Sequence, residues 1–170
     1  SNIYGTTQTK IEWIILNRNE LVIYGKGKMD NYNETKLSEW NQYKEQITKI
    51  TIKEGVENIG NYAFYGLEKV EEISISSSIT SIGDNCFIGC SSLEMISVDS
   101  NNTNYQSING VLLNREETEL IQYPIGNKTI NYTIPENVTS IQENSFYGSV
   151  YLEEITITNK VNSIQNNPFL

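Results

Sequence analysis

From Ile50 onward, apolar residues return at fixed intervals along the chain. ITIKEGVENIGNYAFYG, beginning at Ile50, is followed by ISISSSITSIGDNCFIG from Ile73. Later come YTIPENVTSIQENSFYG from Tyr132 and ITITNKVNSIQNNPF from Ile155. Phe64 and Phe87 are 23 residues apart, as are Phe146 and Phe169, Ile59 and Ile82, and Ile141 and Ile164. A fixed period of this length is the signature of a solenoid, in which each copy is one supersecondary unit.

The pattern inside a copy predicts its elements. Ile50 and Ile52 alternate with Thr51, so a short strand turns two β-branched side chains inward and one polar side chain outward. Ile73 and Ile75, Ile96 and Val98, Tyr132 and Ile134, and Ile155 and Ile157 repeat it. After a turn, Val56 and Ile59 return to the interior, with Ile79 and Ile82, Val138 and Ile141, and Val161 and Ile164 as equivalents. A small residue and an aromatic follow: Ala63-Phe64, Cys86-Phe87, Ser145-Phe146 and, as a variant, Pro168-Phe169. The spacing from there to Val70, Leu93 or Leu152 predicts one or two helical turns, and Gly66, Gly89 and Gly148 suit a left-handed ending. One copy cannot bury its apolar side alone. Stacked copies make continuous interior columns of Ile, Val and Phe, and their strands join into a parallel sheet. Each such side chain contributes roughly 1.5–3 kcal/mol on burial, against the entropy of ordering the copy.

Two segments depart from the period. From Ile96 to Tyr132 is 36 residues, and the excess holds GVLLN, a charged REETE and LIQYP. This predicts a β-hairpin, Val111 to Asn114 and Leu120 to Tyr123, closed by Pro124 and replacing the helical side of an elongated rung at about 96–131. Residues 1–46 do not carry the repeat. IEWIIL and ELVIYG, parted by Asn17 to Asn19, read as a hairpin; a Gly25-Lys26-Gly27-Lys28 turn and a polar stretch then lead to Trp40. Residues 1–46 are therefore expected to cap the open end of an array over 47–170. At the other end the chain stops at Phe169-Leu170, within a copy, so the last rung is expected to lack a cap and to offer an edge for self-association.

Charge and composition narrow the function. The chain has 12 Lys and Arg against 21 Asp and Glu, a formal net charge of -9, which opposes nucleic acid or an anionic membrane as partner. No apolar run is long enough to insert in a bilayer, and no export signal opens the chain, so an exported protein would carry it as its mature portion. The complete lack of histidine removes Ser-His-Asp and Cys-His systems and His-based zinc sites. Cys86 and Cys90 occupy the slots of Ala63 and Leu67, and read as reduced packing residues rather than redox or metal groups. Glu71, Glu94 and Glu153 repeat just before successive strands; they read as a solvated acidic stripe, since repetition supplies neither the separation nor the unequal environments of a glycosidase pair. The Gly-Lys-Gly-Lys turn lacks phosphate-loop spacing. Five Asn-x-Thr sequons, at Asn33, Asn101, Asn127, Asn131 and Asn137, matter only in a glycosylating host. No cofactor, metal or catalytic residue is expected.

Outward strand positions form a candidate binding face. Thr51, Ser74, Ser97, Thr133 and Thr156 would line it with hydroxyls, suited to a glycan or an extended peptide, or simply to a solvated sheet. Eleven tyrosines include Tyr105 and Tyr123 on the elongated rung, where they either mark an interface or fill gaps between rungs.

The pattern Ile-x-Ile-x-x-x-Val-x-x-Ile-x-x-x-Ala/Ser/Cys-Phe-x-Gly, with Cys90 and Leu93 after the second Phe, resembles the BspA-like leucine-rich repeats. NNTNYQSINGVLLNREETELIQYP is similar to an elongated variant seen among them, and IEWIILNRNELVIYGKGKM with its downstream Trp resembles the cap of bacterial members. The chain departs from the common leucine-rich signature in having no asparagine ladder, and from its own pattern at Pro168. The resemblance implies a leucine-rich-repeat solenoid in an extracellular or cell-surface protein, linked to adhesion to host extracellular protein or glycan. It brings no transferable catalytic residue. The expectation is a non-enzymatic binding module, with a structural spacer or self-assembly unit as the alternative.

Overall fold

The computed structural model describes residues 2–165, 168 and 169. Ser1, Asn166, Asn167 and Leu170 lie outside them, and with Leu170 part of the chain end expected to lack a cap.

The chain opens with a meander of β1 (Ile3–Thr6), β2 (Glu12–Leu16) and β3 (Glu20–Tyr24), paired antiparallel. The expected hairpin is β2–β3, turned by left-handed Asn17 and Arg18; β1 adds a strand that the apolar pattern did not announce. β3 then runs parallel to β4 (Lys49–Ile52), with Leu21 opposite Ile50 and Ile23 opposite Ile52. The cap is thus continuous with the ladder, not merely laid over it. β5 (Asn58–Ile59), β6 (Glu72–Ile75), β7 (Ser81–Ile82) and β8 (Met95–Val98) follow. The sheet order β1-β2-β3-β4-β6-β8 has Ile50, Ile73 and Ile96 in one column, while β5 and β7 pair separately.

The turn side corrects one expectation. No helix follows Ala63-Phe64 or its equivalents; the one helix among the described residues is a 3-10 turn at Asn41–Tyr43 in the cap. The amides explain why. Those of Tyr62, Phe64 and Gly66 donate across to the carbonyls of Asp84, Cys86 and Ile88 in the next copy, at 3.0, 3.0 and 2.8 Å. An amide spent between rungs cannot bond four residues back along its own chain. Tyr62, Asn85 and Asn144 sit at φ 57°, 57° and 61°, which also stops a right-handed helix. Glycines 66, 89 and 148 are left-handed as their position suggests.

The elongated rung is a meander of three strands: β9 (Tyr105–Ile108), β10 (Val111–Asn114) and β11 (Glu119–Gln122). β10–β11 is the expected hairpin. β9–β10 is a second one, closed by left-handed Asn109-Gly110 between paired Ile108 and Val111. Buried Asn102 anchors its start: the side chain donates to the carbonyls of Ser76 and Ile79 at 2.9 and 3.0 Å and accepts from the amides of Asn104 and Tyr105. Beyond lie β12 (Asn131–Thr133), β13 (Ser140–Ile141), β14 (Glu154–Thr156) and β15 (Ser163–Ile164). β12 pairs β14, and β11 continues parallel into β13 and β15.

The meander divides the interior in two. Leu112 and Ile121 pack in a first core, with Phe64, Phe87 and the cap residues Trp13 and Trp40. Val111, Leu113, Leu120 and Tyr123 pack in a second, with Ile141 and Phe146. Successive side chains of a strand point to opposite faces, so an inserted sheet layer serves both cores. Its uninterrupted apolar runs, VLL and LI, follow from burial on both sides. The aromatic column is split accordingly. Trp40, Phe64 and Phe87 follow one another with ring centroids 6.4 and 6.2 Å apart. Tyr123, Phe146 and Phe169 form the second run, at 5.1 and 5.3 Å.

Candidate functional site

The outward hydroxyls fall into two groups. Thr51, Ser74 and Ser97 lie in register across β4, β6 and β8. Thr133 and Thr156 lie in register across β12 and β14. The elongated rung stands between the groups, so the expected five-membered row is two separate rows.

Ser74 and Ser97 of the first row border a shallow recess of about 390 Å3, which also touches Lys53, Ser76 and Asp99. The hydroxyls here are partly committed. Thr51 donates to Glu20 Oε2 at 2.7 Å, Ser97 to Ser74 Oγ at 3.1 Å, and Ser76 to the Lys53 carbonyl at 3.1 Å. A hydroxyl carries one donor and two acceptor positions. Each therefore retains acceptor capacity, and Ser74 also its proton, toward a ligand laid along the strands.

The two tyrosines go different ways. Tyr105 is half-buried in β9, packed against the first core, and burial raises its phenol pKa. Tyr123 is 2% exposed and stacks on Phe146 with an interplanar angle of 19°. It belongs to the interior column, in the slot that Phe64 and Phe87 hold in the first block. Burial raises its phenol pKa and that of its neighbour Tyr132.

Cys86 and Cys90 are free thiols in the first core. Burial pushes both pKa values up to about 12, with backbone hydrogen bonds opposing the shift in part. A thiol held protonated in this way is a weak nucleophile at neutral pH. The amide of Glu94 donates to the carbonyl of Glu71, which puts these two residues on adjacent rungs, while Glu153 lies in the second block. Among the described residues, no three His, Cys, Asp or Glu side chains converge as a metal site would require. Among them also, no helix is long and apolar enough to cross a membrane, and one ion pair is formed, Lys160 with Glu136 at 3.8 Å on the surface.

A feature that sequence reasoning missed lies at the seam of the two blocks. Here Asp84, Asn85 and Phe87 face Gln122, Gln142, Glu143 and Asn144 across a cleft of about 130 Å3. Asn144 Nδ2 donates to Asn85 Oδ1 across it at 2.9 Å. The signal available in the sequence was the elongated rung itself, which has no Asn-Ala-Phe-like turn of its own.

Comparison with known proteins places these features in a family. A model described as the BspA type leucine rich repeat region matches residues 35–170 in 6 copies. No curated protein matches the chain. Three solved structures are similar. A leucine-rich repeat protein from Eubacterium ventriosum shares 22% identity over 96% of this chain and 62% of its own, at TM-score 0.47. The pneumococcal vaccine antigen PcpA shares 16% over 95% of this chain and 66% of its own, at TM-score 0.56. A leucine rich cell surface protein from Faecalibacterium prausnitzii shares 18% over 96% of this chain and 73% of its own, at TM-score 0.55. The chain therefore spans less than two thirds of the length of the first two. At these identities the likeness is one of fold.

Proposed function

The chain belongs to the BspA-type leucine-rich repeat family, and from that premise we propose that it is a non-enzymatic binding module of a cell-surface or secreted protein, attaching to host extracellular protein or glycan. The observation that carries the reading is the in-register face of Thr51, Ser74 and Ser97 on a rigid parallel sheet. Hydroxyls at the rung spacing, with acceptor capacity to spare, match the repeating donors of a sugar chain or an extended peptide. The structural neighbours add support, since one is named a cell surface protein and another a vaccine antigen. The acidic balance of the chain favours a neutral or basic ligand over an anionic one. An array of mucosal glycans and matrix proteins, probed with the labelled chain, tests it. At least one saturable binder is expected, weakened by Ser74→Arg on the strand face; an array without any binder overturns the reading.

A second reading, a structural spacer or self-assembling unit, is favoured by one feature. The last described rung leaves Ile157, Ile164 and Phe169 between 41% and 50% exposed. Beside them is a groove of about 370 Å3 lined by Leu152, Ile155 and Phe146. Association through this edge would give a molar mass that rises with concentration, and Ile157→Lys would suppress the rise. A constant monomer mass contradicts it.

A further inference from the structure

The first regular turn hands three amides to the next copy, those of Tyr62, Phe64 and Gly66. The second block keeps the same direction: the Tyr123 amide donates to Ser145 at 2.9 Å and that of Phe146 to Pro168 at 2.6 Å. The equivalent donors of the second copy, the amides of Asn85, Phe87 and Gly89, have no acceptor among the described residues. On the far wall the Glu143 carbonyl, which corresponds to that of Asp84, receives no hydrogen bond from them either. The elongated rung runs from Leu120 of β11 to Tyr123 in three residues where Ile82 to Phe87 takes five, so Ile121 and Gln122 line the place but the projecting part of the turn is missing. What remains is the cleft where Asn85 and Phe87 face Gln142, Glu143 and Asn144.

The dimensions and chemistry of the cleft select an occupant. Neighbouring backbones of a ladder lie about 4.8 Å apart, so omitting one leaves about 9.6 Å between the flanking chains, the room for one extended strand. One wall offers backbone donors and the other a backbone acceptor, the complement of a peptide and not of an ion. The carboxylates of Asp84 and Glu143 at the rim repel anions. Phe87 is 4% exposed, so no aromatic face is open for a sugar ring to stack on. The carboxamides of Asn85 and Asn144, which bond each other across the cleft, each carry a donor and an acceptor that can pair with a peptide unit instead.

We propose that this cleft receives an extended peptide segment in the place of the missing turn, parallel to the rungs, with its carbonyls on the Asn85 and Phe87 amides and an amide on the Glu143 carbonyl. The small volume restricts the segment to residues such as Gly, Ser and Ala. This goes beyond the adhesion reading and does not depend on it, because the Asn85, Phe87 and Gly89 amides lack an acceptor among the described residues whatever the strand face binds.

The test is a titration of the isotope-labelled chain with the blocked peptide acetyl-Gly-Ser-Gly-Ser-amide, followed through backbone amide resonances. Saturable shifts centred on Asn85, Phe87 and Gly89 are expected, with Kd on the order of 0.1–1 mM for so short a strand. A peptide N-methylated at alternate residues is expected to bind at least about tenfold more weakly, since it loses its donors. Gln165→Trp, an exposed substitution on the cleft rim, is expected to remove the shifts without changing the rest of the spectrum. Absence of shifts at about 10 mM peptide, equal binding of the N-methylated form, or shifts produced by methyl glycosides and not by peptide would each overturn the proposal. A strand-face ligand found on the array would leave these outcomes unaffected.

Discussion

Asn144 donates a hydrogen bond of 2.9 Å to Asn85, 59 residues earlier, and both backbones are left-handed, at φ 61° and 57°. The two residues hold the same position in their copies, yet the copies are not neighbours in sequence. Asn85 in turn donates to Tyr62 Oη at 3.1 Å, so a line of side chains at one repeat position runs from the first block into the second. The bond ties the blocks together where the intervening rung lacks a turn.

Replacing both asparagines tests that tie. Glycine tolerates the left-handed backbone, so Asn85→Gly and Asn144→Gly remove the side chains without adding strain. A double-mutant cycle in urea is expected to show a coupling of about 0.5–1.5 kcal/mol, the ordinary net value of one hydrogen bond. Additive effects would mean that the bond contributes nothing to stability.

The cap is expected to be integral to the first block. Trp40 is fully buried, its ring lies 6.4 Å from Phe64, and its Nε1 donates to the Ala63 carbonyl at 2.9 Å. Trp40→Ala is expected to cost about 3–5 kcal/mol, with a further penalty for the carbonyl left unpaired. Thermal unfolding measures it, and a loss under about 1 kcal/mol would show that the cap is independent of the ladder.

Much of this was legible in the sequence, and the misses have physical causes. The 23-residue return of Phe64 and Phe87 announced the interior column because neighbouring copies keep their length. The same rule hid the rung that begins at β3. Leu21 stands 29 residues from Ile50 while Ile50 stands 23 from Ile73, so inserted residues break the period though not the pairing. Trp40, an aromatic of another kind, concealed its place in the Phe column. β9 was missed because YQSI has a mostly polar look, although Asn109-Gly110 after it is a strong turn signal. The helical turns were misread from spacing alone, which does not reveal that the Tyr62, Phe64 and Gly66 amides bond outward to the next copy. The hydroxyl row was read as continuous because outward positions carry no trace of the inserted meander.

The buried thiols give stability an alkaline limit. In the unfolded chain a cysteine ionises near pH 8.5, but folding raises Cys86 and Cys90 to about 12. A raised pKa means that the unfolded state loses its proton first, so the contribution is complete below about pH 8.5 and is lost as pH rises toward 12. The loss is expected to approach about 1.4 kcal/mol per pH unit for each thiol. Between pH 8.5 and 10, before tyrosines of the unfolded chain begin to ionise, Cys86→Ala is expected to reduce this slope by about half. Urea unfolding against pH measures it. A slope unchanged by the substitution would show that Cys86 ionises as easily in the folded chain as in the unfolded one.

The most direct measurement concerns the strand that parts the two cores. Methyl-labelled chain, examined for proton–proton contacts in solution, should show Leu112 methyls against the first block, including Phe87 and Leu93. It should show Val111 and Leu113 against Phe146 and Ile141 in the second. Contacts from Leu112 to Phe146, or from Leu113 to Phe87, would contradict the divided interior, and with it the seam on which the peptide cleft depends.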